Sequence, residues 1–546
     1  MRKKAYIILL LSAVITTVAL KAPDSKYFEI ARNLDIFATL FKEVNAYYVD
    51  EIDPEELVST GIYAMLGSLD PYTTYIPEEQ LEDYRTMTTG LYAGIGAIVG
   101  TINDRTLITM LYDDYGAHKA GMKIGDEIIE IDGIKLTNRG TTDVTKLLKG
   151  QSGTPVTIKI KRNNKESKEF TFDRETIRIE NVPYYTNITA EVGYIRLSDF
   201  TMGASREVEQ ALKVLKKNGA NKIVIDLRSN PGGLLNEAIN ISNLFIPRGE
   251  EVVSTKGKVE EWNKTYKALN QPIDKEIPLV ILINNMSASA SEIVAGVIQD
   301  YDRGILIGRR TFGKGLVQAT RPLSYNTQLK VTTAKYYIPS GRCIQAIDYA
   351  ERNEDGSVSN IPDSLKVAFK TKNNRVVYDG GGLEPDIPVL GSDWSAAAIS
   401  LLTSGHIFDY ATEYYYAHDE IEEPDVFEFT DDEYAKFTSW LTDRGYEYES
   451  SLETSVDLLL STAEEKKSSE EIIHKMNDLR NKIILEKKND LLKHQGEIRR
   501  LLRQEIVSRY YLYKGDIQAA LKGDLDLKEA VDILSSEDRY HNILSN

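Results

Sequence analysis

The sequence predicts an α/β protein of several domains, and three observations carry that expectation. Residues 176–390 alternate strand-like apolar runs with helical stretches, the pattern of an α/β core. Residues 86–175 are short β-like runs punctuated by Gly90, Gly94, Gly96 and Gly100. The flanking stretches, 23–85 and 391–546, carry apolar residues at helical spacing. A length of 546 residues itself calls for three or more domains.

Arg2, Lys3 and Lys4 precede an apolar run, Ala5 to Leu20, broken only by Ser12, Thr16 and Thr17. Residues 1–22 therefore read as a secretory signal peptide, with Thr17-Val18-Ala19 as a small-residue cleavage site. The run falls near the ~20 residues a spanning helix needs, so a retained membrane anchor stays open. Both readings predict export to the periplasm or cell envelope. Ile30, Leu34, Phe37, Leu40, Phe41 and Val44 mark a first helix. Leu57, Ile62, Met65 and Leu66 mark a second, ending at Gly67 before the Asp70-Pro71 turn. Next come Ala120-Gly121, Gly125-Asp126 and Ile131-Asp132-Gly133, a helix closed by Leu147 to Gly150, and an alternating strand from Val156 to Lys161. In that order they resemble a PDZ domain, over residues 86–175. In the α/β segment, Gly193 to Leu197 is a strand and Ser205 to Lys217 a helix stopped by Asn218-Gly219. Lys222 to Leu227 is a buried strand that runs into Arg228-Ser229-Asn230-Pro231-Gly232-Gly233 and another helix. Leu279–Ile283, Ile305–Ile307 and Lys330–Ile338 are further strands. In the tail, Ile472, Met476, Leu479 and Ile483 share a helix face, as do Leu491, Ile498, Leu502 and Ile506, with an interruption expected at Gly496.

Composition narrows the chemistry. A hydrophobic share of 42% with 27% charge is that of folded protein. A formal net charge of −17 argues against nucleic acid and anionic membrane surfaces as partners. Cys343 is the single cysteine, so no internal disulfide forms. The six histidines all lie outside the α/β segment, which argues against both a His/Cys metal site and a Ser-His-Asp triad.

The informative residues are Met286-Ser-Ala-Ser-Ala-Ser-Glu292, between an apolar strand and a helix. A serine at that junction faces free backbone N–H groups at the positive end of a helix. Ser289 is a nucleophile candidate, and Ser287 and Ser291 compete with it. Ser289-Ala290-Ser291-Glu292 also fits a capping box. Lys314 stands between Gly313 and Gly315, and a neutral lysine can replace histidine as the base for serine. Phe312, Leu316 and Val317 would supply the apolar pocket that brings its pKa towards neutrality. Gln318, four residues on, falls on the same face and can orient the amine. One amide of Gly232 or Gly233, with that of Ala290, would make a two-donor oxyanion hole.

These segments coincide with a family. Gly193 to Leu197, Asp226 to Gly233, Ser287 to Glu292, Thr311 to Gly315, Tyr337 to Arg342 and Gly382 to Asp386, in this order, resemble the carboxy-terminal processing (tail-specific) proteases. The resemblance spans about residues 30 to 390. It implies a crotonase/ClpP-like α/β protease core with an inserted PDZ domain, and a Ser-Lys dyad. It places the nucleophile at Ser289, the base at Lys314 and its orienting glutamine at Gln318. It implies no metal or organic cofactor. Tyr92 to Ala97 looks like the carboxylate-binding loop, whose amides at Gly94, Ile95, Gly96 and Ala97 would capture a free protein C-terminus. In the resembling family that capture controls opening of the active site. Lys149 and Arg162 are both candidates for sensing it. The expected function is an exported serine endopeptidase acting on unfolded or C-terminally exposed proteins, with homo-oligomer contacts open to the helical regions. The competing reading is a non-catalytic peptide-binding or scaffold protein on the same fold.

Overall fold

The computed structural model describes residues 25–137, 139–163, 165–353, 357–389, 394–487 and 489–545. The expected leader, residues 1–22, lies outside them. Among the described residues no helix is long and apolar enough to cross a membrane. The chain divides into two compact units at Tyr75.

The first unit holds two helices, α1 (Ser25–Tyr47) and α2 (Pro54–Gly67). Asp53 caps α2 by accepting from the Glu55 and Glu56 amides, and Pro54 opens it. Gly61 of α2 faces the Phe37 ring of α1.

The second unit begins with α3 (Leu81–Thr89), which leads into a small β domain. Its strands are β1 (Leu91–Gly94), β2 (Ala97–Ile102), β3 (Arg105–Leu111) and β4 (Glu127–Ile131). Then follow α4 (Thr141–Leu148), β5 (Pro155–Arg162), β6 (Glu166–Asp173) and β7 (Glu175–Arg178). The sheet runs β2-β3-β4-β5-β6, while β1 pairs antiparallel with β7. Strand β2 is thus an edge, and α4 flanks it through a Thr101–Thr141 hydroxyl pair at 2.8 Å.

The α/β core is β8 (Tyr184–Asn187), β9 (Val192–Arg196), α5 (Ala204–Lys217), β10 (Lys222–Asp226) and α6 (Leu235–Asn243). It continues through β11 (Glu251–Gly257), β12 (Lys264–Lys267), β13 (Leu279–Ile283), α7 (Ala290–Asp300) and β14 (Ile305–Gly308). Next come β15 (Leu316–Pro322), β16 (Gln328–Tyr337) and β17 (Ile387–Pro388). The main sheet runs β8-β9-β10-β13-β14-β17, and all pairs but β8/β9 are parallel. A second, antiparallel layer joins β15, β16, β11 and β12.

Strand period two splits the main sheet's side chains between two cores. Leu279, Ile281 and Ile283 of β13 pack with α5, α6 and α7. Val280 and Leu282 face the other way. Burial on both faces explains why β13 reads as an unbroken apolar run.

The carboxy-terminal region is helical: α8 (Ala396–Thr403), α9 (His406–Ala417), α10 (Asp431–Asp443), α11 (Ser451–Glu465), α12 (Glu470–Lys487), α13 (Gln495–Leu521), α14 (Leu525–Ser535) and α15 (Glu537–Ser545). Helices α8, α9, α10 and α13 enclose their own aromatic core around Tyr410, Phe429 and Phe437. Tyr410 and Tyr414 of α9 are both buried in it, while Tyr415 and Tyr416 are half-buried. The interruption expected at Gly496 falls two residues earlier, at His494, where a short helix (Asp490–Lys493) ends and α13 begins. A second, sharper departure from helical backbone lies inside α13 at Leu512, with φ 52° and ψ −147°. Leu512 buries its side chain in the core of the small β domain, beside Phe408. Tertiary packing there overrides local helix preference. Helices α14 and α15 leave the helical domain. Leu527, Ala530, Ile533, Leu534, Tyr540 and Leu544 cover the second face of the main sheet. The Tyr540 hydroxyl accepts from the Leu279 amide at 2.9 Å.

Candidate active site

Ser289 ends the turn after β13 and caps α7. Its φ of 57° with ψ of −112° lies where a side-chain-bearing residue is strained. The other two serines of the run are fully buried and committed. Ser287 Oγ donates to the Leu227 carbonyl at 2.8 Å, and Ser291 Oγ to the Asn230 carbonyl at 2.9 Å. Ser289 keeps partial exposure. The geometry therefore separates the three candidates.

Glu292, in the first turn of α7, is fully buried and accepts four hydrogen bonds. Oε2 takes the Ser289 amide at 2.8 Å and the Lys314 amide at 2.9 Å. Oε1 takes the Thr311 hydroxyl at 2.6 Å and the Gly313 amide at 2.8 Å. The capping glutamate thus also holds the lysine segment, a second role that the local sequence pattern did not reveal. Burial pushes its carboxyl up to about 7, against the four donors that favour the charged form. Tyr336 of β16 adds a second tie, its hydroxyl within hydrogen-bond reach of the Ser289 and Lys314 carbonyls. The backbones that carry Ser289 and Lys314 are therefore neighbours, locked at both an oxygen acceptor and a hydroxyl.

The lysine segment is pinned on its far side too. Gly313 has φ +86°, and a Cβ there would lie 2.4 Å from Ala346 Cβ. Its carbonyl accepts from the Ala346 amide at 2.9 Å. Lys314 itself is half-buried and engaged. Gln318 lies on β15, at a register shift against β16, and its Nε2 donates to Thr332 Oγ1 at 3.3 Å.

The turn after β10 faces Ser289. At Gly232, φ is +91°, and a Cβ would lie 2.6 Å from the Ala288 carbonyl, 2.7 Å from the Ala290 amide and 2.9 Å from Ser289 Cβ. Only glycine allows that approach. The Gly232 amide donates to Asn230 Oδ1 at 2.8 Å. The Gly232 amide is thus engaged within the turn, and its close approach to Ser289 is a steric requirement. Gly233 bridges to Phe200, and α6 begins two residues on. Ala290 opens α7, where an amide has no intrahelical partner.

In the small β domain, the Ile95 and Gly96 carbonyls accept from the Ala117 and Tyr112 amides. That turns the loop's oxygens inward, beside the start of edge strand β2 at Ala97. Gly94 ends β1 under the Tyr92 ring. Arg162 is committed within the domain, to both Asp126 oxygens and the Gly121 carbonyl. Lys149 reaches out instead. Its Nζ lies 2.5 Å from Asp83 of α3, and the adjacent Tyr84 hydroxyl lies 2.5 Å from Thr320 Oγ1 of β15.

Comparison with known proteins agrees with this architecture. Residues 191–351 match the peptidase family S41 model, 108–162 a PDZ domain, and 397–534 the probable PDZ-protease C-terminal helical domain. A carboxy-terminal-processing protease of Bartonella bacilliformis is 37% identical over 59% of this chain and 74% of its own. A probable CtpA-like serine protease of Staphylococcus aureus strain COL is 35% identical over 62% of this chain and 68% of its own. Among solved structures, a photosystem II D1 C-terminal processing protease is 25% identical, over 65% of this chain and 94% of that one, with a TM-score of 0.35. The molecule is a serine-type peptidase with an α/β core, a PDZ domain and a helical carboxy-terminal region. The chain belongs to the carboxy-terminal processing protease family.

Proposed function

We propose that this protease is exported, captures protein C-termini through its PDZ domain and cleaves them with a Ser289–Lys314 dyad. The carrying observation is the single Glu292 oxygen that accepts from both the Ser289 and Lys314 amides. A serine and a lysine whose backbones share one acceptor need little motion to bring hydroxyl and amine together. The neutral Lys314 amine takes the Ser289 proton as Oγ bonds to the scissile carbonyl carbon. The Gly233 and Ala290 amides receive the oxyanion. The lysine ammonium then protonates the leaving amine, and water hydrolyses the acyl-enzyme. Gln318 steadies the lysine.

A substrate C-terminus would lie against the amides of Gly94 to Ala97 and add as a strand to β2. Of the two basic candidates, Lys149 is the one connected outward. Its path through Asp83, Tyr84 and Thr320 ends two residues from Gln318 on the same strand face.

The test compares hydrolysis of an unfolded protein by the full chain, Ser289→Ala and Lys314→Ala, with fluorophosphonate labelling at Ser289. Loss of turnover in both variants, with labelling lost in the first, supports the dyad. Equal turnover by all three removes it and leaves the peptide-binding alternative.

A further inference from the structure

The strand β10 ends on Asp226, and the next residue but one, Arg228, opens the turn that presents Gly232 to Ser289 and continues into Gly233. Arg228 carries five N–H donors, and the structure fills all five with carboxylates. Nε and one terminal nitrogen go to Asp226 at 3.0 and 2.7 Å. The two terminal nitrogens also grip Asp524 at 3.0 and 2.6 Å, and the last donor meets Asp526 at 2.9 Å. Asp226 is fully buried. Burial alone would raise its carboxyl, but the Arg228 and Arg196 guanidiniums override that and hold it well below the ordinary range.

Asp524 and Asp526 come from nearly 300 residues away, at the start of α14. Asp524 caps that helix by accepting from the Leu527 amide at 3.0 Å. Within the core the turn is held through Asn230, whose side chain donates to the Leu197 carbonyl at 2.7 Å, and through Asn284. The Asn230 carbonyl accepts from Ala288 and Ser291, and its side chain from Gly232. Ser229, directly after Arg228, sits at φ 59°, a strained position, with its amide donating to Asn284 Oδ1 at 2.8 Å and Arg228 the residue that ties the turn to the tail.

We propose that Asp524 and Asp526 are positioning residues for the oxyanion side of the active site. They fix Arg228, and Arg228 fixes the Ser229–Gly233 turn that sets where the Gly233 amide points. The helical tail thereby completes the catalytic geometry in addition to covering the sheet. Without the pair, two largely buried guanidiniums share the Asp226 carboxylate, and Arg228 loses its tie to the tail. This inference rests on the reading of Ser289 as nucleophile and Gly233 as oxyanion donor.

The test uses the full chain with Asp524→Asn and Asp526→Asn, singly and together. Asparagine keeps the shape and the helix cap but removes the charge. The substrate is a short ester too small to span to the PDZ domain, and the probe is a peptidyl boronate, whose adduct with Ser289 fills the oxyanion position. The expected result for the double variant is a kcat lowered about tenfold, below the 10²–10³ of deleting a donor outright. KM should stay unchanged, and boronate affinity should fall in parallel. Should the double variant not fold, Asp524→Asn alone carries the test. An unchanged kcat in a folded variant, or a fall in kcat without loss of boronate affinity, overturns the proposal. Retained hydrolysis by Ser289→Ala would instead defeat the underlying reading, which separates the two failures.

Discussion

Protonation of Glu292 should act on activity and on stability in opposite directions. Its carboxyl titrates at about 7 in the folded chain, against an ordinary value of 4.5. Folding therefore favours the protonated form. That contribution to stability is fully present below the ordinary value and is lost as pH rises towards 7. The four donors, however, need a carboxylate: a protonated oxygen loses acceptor capacity. Activity should thus rise through neutrality while resistance to urea declines between about pH 4.5 and 7. In Glu292→Gln both trends should weaken, read by pH–rate profiles and by urea midpoints at pH 5 and 8. A wild-type urea midpoint that does not change with pH would count against it. Gly232 supports a second expectation. Gly232→Ala forces a methyl to within 2.6 Å of a carbonyl and adds unfavourable φ, so activity should fall at least a hundredfold with little gain or loss in substrate binding. The serine, lysine and glycines were legible because their chemistry is local and their spacing distinctive. The second role of Glu292 was not, because its partners lie 19 to 22 residues downstream and no local pattern announces them.

Elements show the same division. Strand β13 and helix α7 follow from an apolar run and a capping pattern. The identity of what covers β13 does not, since Val280 and Leu282 meet residues some 250 positions later. The tail was legible as helix but not as part of the sheet's packing. Likewise the disruption at Leu512 follows from a hydrophobic pocket in another domain, while Gly496 only lowers helix preference. If α14 is a structural layer of the core, Ile533→Ala should destabilise by about 2–5 kcal/mol, the cost of a large core truncation. Urea denaturation followed by intrinsic fluorescence measures this, and a loss under about 1 kcal/mol would contradict the assigned packing.

At the scale of the second unit, the helical tail touches both working parts. Asp409 of α9 holds Arg105 of the PDZ domain at 2.8 and 2.9 Å, and Asp524 and Asp526 at the start of α14 hold Arg228 of the α/β core. The PDZ domain in turn meets β15 through Lys149, Asp83, Tyr84 and Thr320. Lys149→Ala should therefore reduce cleavage of long substrates with a free C-terminus, several-fold, while sparing a short ester. Equal losses on both would place Lys149 in stability alone. The covering of the main sheet by residues 525–545 also bears on biogenesis. Synthesis proceeds from the amino end, so the hydrophobic underside of the sheet stays bare until that stretch has left the ribosome. The second face of the main sheet therefore closes late, once residues 525–545 are free to dock, and partly made chains carry an exposed apolar surface until then.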